Sequence, residues 1–149
     1  MRKMWILVAD KAKARIFLAE KPLGPLTELE ALVHPESRLH ARDLVSDAPG
    51  RTFDRSGEGR HAKEPNVDPK ESEAIKFAIE IADRLEAARA RGEFDRLGLV
   101  AAPEFLGLLR ERLGPETRAL VEFEIDKDLM HLQPQEIRAR LPERLFSAV

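Results

Sequence analysis

The chain has 149 residues, enough for one domain with a proper core, and its 43% hydrophobic and 35% charged residues describe a globular chain with an ionic exterior. A net charge of −2 excludes a global field that gathers nucleic acid or anionic membrane, so any such binding needs a local patch. The absence of cysteine excludes disulfides, thiolate catalysis and cysteine metal sites, and is compatible with the cytosol.

In chain order, Met4–Ala9 is an apolar run cut off by Asp10. It lacks the length and the small-residue cleavage site of a signal peptide, and no stretch approaches the roughly 18 apolar residues of a membrane span. The expectation is a soluble, cytoplasmic single domain over residues 1–149. Met4–Ala9 and Ala14–Glu20 are expected to be strands joined by the polar turn Asp10–Lys13, giving a hairpin. Thr27–His34 alternates Leu29, Ala31 and Val33 against Glu28, Glu30 and Leu32, which favours a third strand. Ser37–Val45 has room for a helical turn. Residues 46–68 are rich in glycine, proline and charge, and form a long polar loop of the kind that is usually functional or disordered.

A strong helix start follows. Asp68 caps, Pro69 fits the first helical position, and Glu71 falls three residues after the cap. Ile75, Ala78, Ile79, Ala82 and Leu85 recur at helical spacing, Phe77 and Ile81 widen the apolar face, and Gly92 supplies the stop. Leu97–Ala102 suits a strand buried on both faces, and Pro103 opens a helix carrying Phe105, Leu109 and Leu113 until Gly114-Pro115 ends it. Gly107 inside that helix suggests close packing. Ala119–Ile125 is expected as another strand. Pro134 starts a last helix with Ile137, Leu141 and Leu145, which Pro142 kinks or ends early. The sum is an α/β fold: a mixed sheet flanked by helices in three layers, its later strands parallel across a right-handed crossover.

Chemistry-bearing residues are sparse. Asp10, Asp126 and Asp128 follow strand ends and make a candidate divalent-metal site of nuclease type, although Asp commonly ends strands because it favours turns, and Lys127 stands between two of them. His34, His40, His61 and His131 form no metal-type pair, and no nucleophile elbow, P-loop or dinucleotide fingerprint occurs. In the long loop, Arg51, Arg55, Arg60, His61 and Lys63 are candidate phosphate contacts, with Phe53 available for stacking. Asp54, Glu58 and Glu64 offset much of that charge, so a solvated loop is the plainer alternative. Arg138, Arg140 and Arg144 fit a solvated helix face.

Taken together, WILVADKAKARIF from Trp5, HPESR at 34–38, DLVSDAPGR at 43–51, LVAAPEFLGLLRERL and EIDKDL resemble the bacterial host attachment proteins, from Trp5 to about Leu141. The resemblance implies a fold like the middle domain of archaeal and eukaryotic peptide-chain release factors, where a Gly-Gly-Gln loop precedes a long helix and promotes peptidyl-tRNA hydrolysis. The matching place here is Gly57-Glu58-Gly59-Arg60. No Gly-Gly-Gln occurs in this sequence, so that catalysis is not carried over. What the resemblance implies is a non-catalytic, cytoplasmic module without a cofactor, binding ribosomal or transfer RNA in a translation-related process. The alternatives are the metal-dependent nuclease built on the strand-end aspartates and a protein-interaction module. Nothing in the residues sets the oligomeric state.

Overall fold

The computed structural model describes residues 2–34 and 69–147, with the side chains of Pro69 and Lys70 left aside. Ser37–Val45, the stretch 46–68 and the Asp68 cap therefore lie outside the described residues. Among the described residues, five strands form one sheet: β1 (Met4–Ala9), β2 (Lys13–Ala19), β3 (Thr27–Val33), β4 (Arg96–Ala101) and β5 (Val121–Ile125). Their order is β3-β2-β1-β4-β5. β2 runs antiparallel to both β1 and β3, whereas β4 is parallel to β1 and β5 parallel to β4. Among the described residues there are four helices: α1 (Pro69–Ala90), α2 (Pro103–Arg112), the single turn α3 (Pro115–Arg118), and α4 (Pro134–Ala139).

The hairpin forms for a local reason. Asp10 Oδ1 accepts the backbone N–H of Ala12 at 2.9 Å and of Lys13 at 2.8 Å, so the side chain itself folds the turn between β1 and β2. All six residues of β1 are buried, as a central strand covered on both faces requires. Trp5 and Leu7, with Ile16, Leu97 and Leu99, pack beneath Phe77, Ile81 and Leu85 of α1 and Phe105 and Leu109 of α2. Met4, Ile6, Val8, Phe17 and Val100 meet Leu129, Ile137, Leu141, Leu145 and Phe146 of the C-terminal stretch on the opposite face. Three layers result, as the hydrophobic pattern implies.

Several local expectations are corrected. A register shift between Ile16 and Phe17 bulges β3 at Leu29, which is 43% exposed, while Leu32 packs against the core. The alternation of Leu29, Ala31 and Val33 therefore does not mark the buried face. On α1 the buried row is Ala74, Phe77, Ala78, Ile81, Ala82, Leu85 and Ala88, and Ile79 falls beside it, 39% exposed. Gly92, at φ 74°, ends α1 as expected, with Glu93 N–H returning to Ala88 O at 2.9 Å. Ala119 and Leu120 belong to the turn after α3 rather than to β5, and α4 closes at Ala139, ahead of Pro142. Arg138 is no solvated residue: it donates to Gly24 O at 2.7 Å, Pro142 O at 2.9 Å and Glu143 O at 2.7 Å, bracing the C-terminal stretch against the β2–β3 turn.

Both edge strands use one device. Each carries two glutamates, and each glutamate is held by an arginine of a neighbouring element: Glu28 by Arg15 of β2, Glu30 by Arg84 of α1, Glu122 by Arg96 of β4, and Glu124 by Arg110 of α2. The contacts raise the pKa of Arg84 through Glu30 and that of Arg110 through Glu124. Alternating glutamates in Thr27–Val33 and Val121–Ile125 are thus structural partners as well as edge charges.

Two glycines in the second half of the chain differ in kind. A Cβ on Gly98 would lie 2.6 Å from Cζ of Phe123, whose ring rests on that glycine, whereas nothing stands within 4 Å of a Cβ on Gly107. The close packing expected at Gly107 is therefore absent. Gly98→Ala should destabilise the chain by about 1 kcal/mol or more as Phe123 is displaced, and Gly107→Ala should stabilise it by about 0.5–1 kcal/mol. Paired denaturant melts check both signs.

Candidate functional site

The strand order places a switch point between β1 and β4, because the chain leaves β1 toward β2 on one side and β4 toward β5 on the other. In such sheets the crevice beyond the carboxyl ends of these strands is where ligands bind. A cleft of about 660 Å³ opens there. Asp10 and Lys11 enter it from the end of β1, Glu71 and Ala74 from the start of α1, Ala102, Glu104 and Phe105 from the β4–α2 junction, and Asp128 from the stretch after β5. Pro103 opens α2 directly after Ala102, so the strand delivers its helix to the cleft without a loop.

Asp10 and Asp128 thus meet around one cleft, as strand-end placement suggests, but Asp126 is not among its lining residues. Among the described residues, no group of three or more His, Cys, Asp or Glu side chains is placed to hold a metal ion. Asp10 is engaged in its own turn, and Asp128 Oδ1 accepts the N–H of Met130 at 3.2 Å. Carboxylates, a single ammonium and apolar surface make this cleft suited to a cationic or amphipathic group and repellent to a phosphate. Arg51, Phe53, Arg55, Arg60, His61 and Lys63 lie outside the described residues, as does His40.

Beside the cleft stands a contact that the chain order hides. His34, directly after β3, is buried, and its backbone N–H donates to Ala12 O at 3.0 Å. Its Nε2 lies 2.9 Å from Glu73 Oε1 and its Nδ1 3.2 Å from Glu80 Oε1, both on α1. Ionised carboxylates only accept, so both contacts are hydrogen bonds together when both ring nitrogens carry protons. The imidazole stacks on Phe77 with centroids 5.2 Å apart. The hydrogen bond from His34, offset in part by burial and aided by Lys76, holds the Glu73 carboxyl below the usual carboxylate range. His34 alone looks like a polar residue at a strand end. The findable signal is the i, i+7 spacing of Glu73 and Glu80, which sets two carboxylates two turns apart on one helix face.

Among the described residues, no helix is long and apolar enough to cross a membrane. Three solved structures resemble the chain at low identity. The crystal structure of the archaeal translation termination factor aRF1 is 14% identical, with 82% of this chain and 29% of that one covered and a TM-score of 0.41. A structure titled only as an archaeal protein is 17% identical, with 93% and 34% covered and a TM-score of 0.38. The type II variant of the Aquifex aeolicus Ppx/GppA phosphatase is 12% identical, with 84% and 36% covered and a TM-score of 0.39. This chain spans about a third of the length of each. No curated protein matches the sequence. The family described as "Protein required for attachment to host cells" matches residues 5–141, nearly the whole chain, and the chain belongs to that family.

Proposed function

We propose that this attachment-family chain is a non-catalytic, cytoplasmic binding module that contacts ribosomal or transfer RNA through Arg51, Phe53, Arg55, Arg60, His61 and Lys63. The observation that carries this reading is the contact of His34 with Glu73 at 2.9 Å. His34 is the last described residue before the segment 35–68, and Glu73 lies near the start of α1, which follows it. The basic stretch therefore lies, in sequence, between two residues that touch one another, His34 and Glu73. The carboxylate-lined cleft supports the same division of labour, since phosphate contacts are better supplied by arginine and lysine than by that cleft. Arginine interleaved with an aromatic ring combines backbone attraction with base stacking.

Attachment to host cells is, on this reading, an indirect consequence of a role inside the cell. Recovery of the tagged full-length chain from native cells tests the reading. Ribosomal proteins should co-purify and be lost after nuclease treatment, whereas nuclease-insensitive partners, or residence of most of the protein at the cell surface, would contradict it.

A further inference from the structure

We propose that the outer rim of β5 is a docking edge for an extended acidic segment of a partner protein, which joins the sheet as a sixth strand. β5 ends the sheet, and among the described residues no backbone hydrogen bond ties its outer rim to another segment. The register shift near Leu97 is confined to the start of the strand. Phe123, Glu124 and Ile125 then pair regularly with Gly98, Leu99 and Val100, leaving a straight stretch for a newcomer. The opposite edge differs, because its bulge at Leu29 interrupts β3 at mid-strand.

Clefts of about 450 and 590 Å³ open along β5, and both are lined by Glu122 and Phe123. The first adds Arg110, Leu113 and Arg118, whereas the second adds Pro142, Arg144 and Phe146. A strand sends alternate side chains to opposite faces, so one added strand uses both clefts at once. Edge glutamates ordinarily deter such pairing. Here they are drawn back, Glu122 to Arg96 at 2.6 Å and Glu124 to Arg110. Those pairs cancel in charge. Arg118 and Arg144 are exposed and stand in no ion pair among the described residues, which leaves a positive surplus flanking the rim.

That surplus selects the occupant. A second copy of this chain paired antiparallel about Phe123 would set Glu122 opposite Glu124 and bring two sets of surplus arginines together, which is unfavourable. An extended segment alternating carboxylate and apolar residues places its acids toward Arg118 and its apolar side chains against Phe123 and Phe146. Backbone hydrogen bonds to the rim supply the rest of the affinity.

The test titrates a fluorescein-labelled octapeptide of alternating Glu and Val into the full isotope-labelled chain at low salt. The backbone amides of Val121–Ile125 should shift, and the Lys/Val counterpart should bind about tenfold or more weakly, as should the acidic peptide to R118E/R144E. Both substituted positions are exposed, and an unchanged thermal melt of that variant establishes that it is folded. Shifts absent from 121–125 at millimolar peptide, equal binding of the two peptides, or an RNA oligonucleotide shifting these amides where the acidic peptide does not, would each overturn the proposal.

Discussion

Phe77→Ala should lower the stability of the chain by about 3–5 kcal/mol, the largest single effect expected here. Phe77 is fully buried on the face of α1 that meets the sheet. Its ring lies between two others, with centroids 5.2 Å from His34 and 6.1 Å from Phe105. Truncation opens a cavity at the junction of α1, α2 and the end of β3, and it removes the surface on which the His34 imidazole rests. The loss is therefore expected in two parts, a cavity term and a loosened contact with Glu73 and Glu80. Phe77→Leu retains most of the volume and should cost well under half as much. A double-mutant cycle of Phe77→Ala with His34→Ala, read by denaturant unfolding, should show coupling of about 0.5–3 kcal/mol, since the two side chains touch. Additive losses would show that the stack contributes nothing to the clamp.

Arg15→Ala should cost about 2–4 kcal/mol through lost hydrogen bonds rather than lost charge alone. The guanidinium donates from Nη1 to Met130 O and Leu132 O, both at 2.8 Å, and from Nε and Nη2 to Glu28 at 3.1 and 2.9 Å. One side chain thus ties β2 to the edge strand and to the stretch covering the second face of the sheet. Arg15→Lys should rescue little, because an ammonium cannot reproduce the planar fork. The substitution also has a pH signature. The Arg15 hydrogen bond, opposed in part by burial, lowers the pKa of Glu28. A carboxylate depressed in the folded state stabilises the fold above its unfolded pKa of about 4.3, and that stabilisation disappears as pH falls through the folded value. Wild type should consequently lose stability on acidification more steeply than Arg15→Ala in the acid range. The difference is modest, since the Glu28 side chain is 34% exposed and solvent screens the pair.

The buried strands were legible because β1 and β4 are short apolar runs bounded by Asp10 and by Ala102-Pro103, and a strand covered on both faces leaves that pattern whatever its neighbours are. The helix after Gly92 and its strand was equally readable, down to its proline start. What the pattern does not carry is register. The bulge at Leu29 turns the expected inward set of β3 outward, and it depends on pairing with β2 rather than on residues of β3. The bracing arginines are invisible for a related reason. Arg15 meets carbonyls 115 and 117 residues away, and backbone acceptors have no residue type to recognise. Arg138 resembles a surface residue until the turn at Gly24 folds beneath it.

The candidate site was half legible. Strand-end position singled out Asp10 and Asp128, and the fold does bring them to one cleft, but Asp126 lies outside that lining. Glu71 and Glu104 share the cleft, and each is a first-turn acid of its helix. His34 is joined to carboxylates 39 and 46 residues away, a distance over which spacing within one strand says nothing. The family resemblance, carried by ordered blocks from Trp5 onward, agrees with the match over residues 5–141.

Co-sedimentation with ribosomes tests the central claim most directly. The full-length chain should pellet with ribosomes at low salt and be released steeply as salt rises, because each phosphate contact liberates counterions. The triple variant R51A/R55A/R60A should remain in the supernatant under the same conditions, with an unchanged thermal melt. Equal pelleting of the variant and the wild-type chain, or pelleting that salt does not weaken, would contradict a phosphate-contacting role for this stretch.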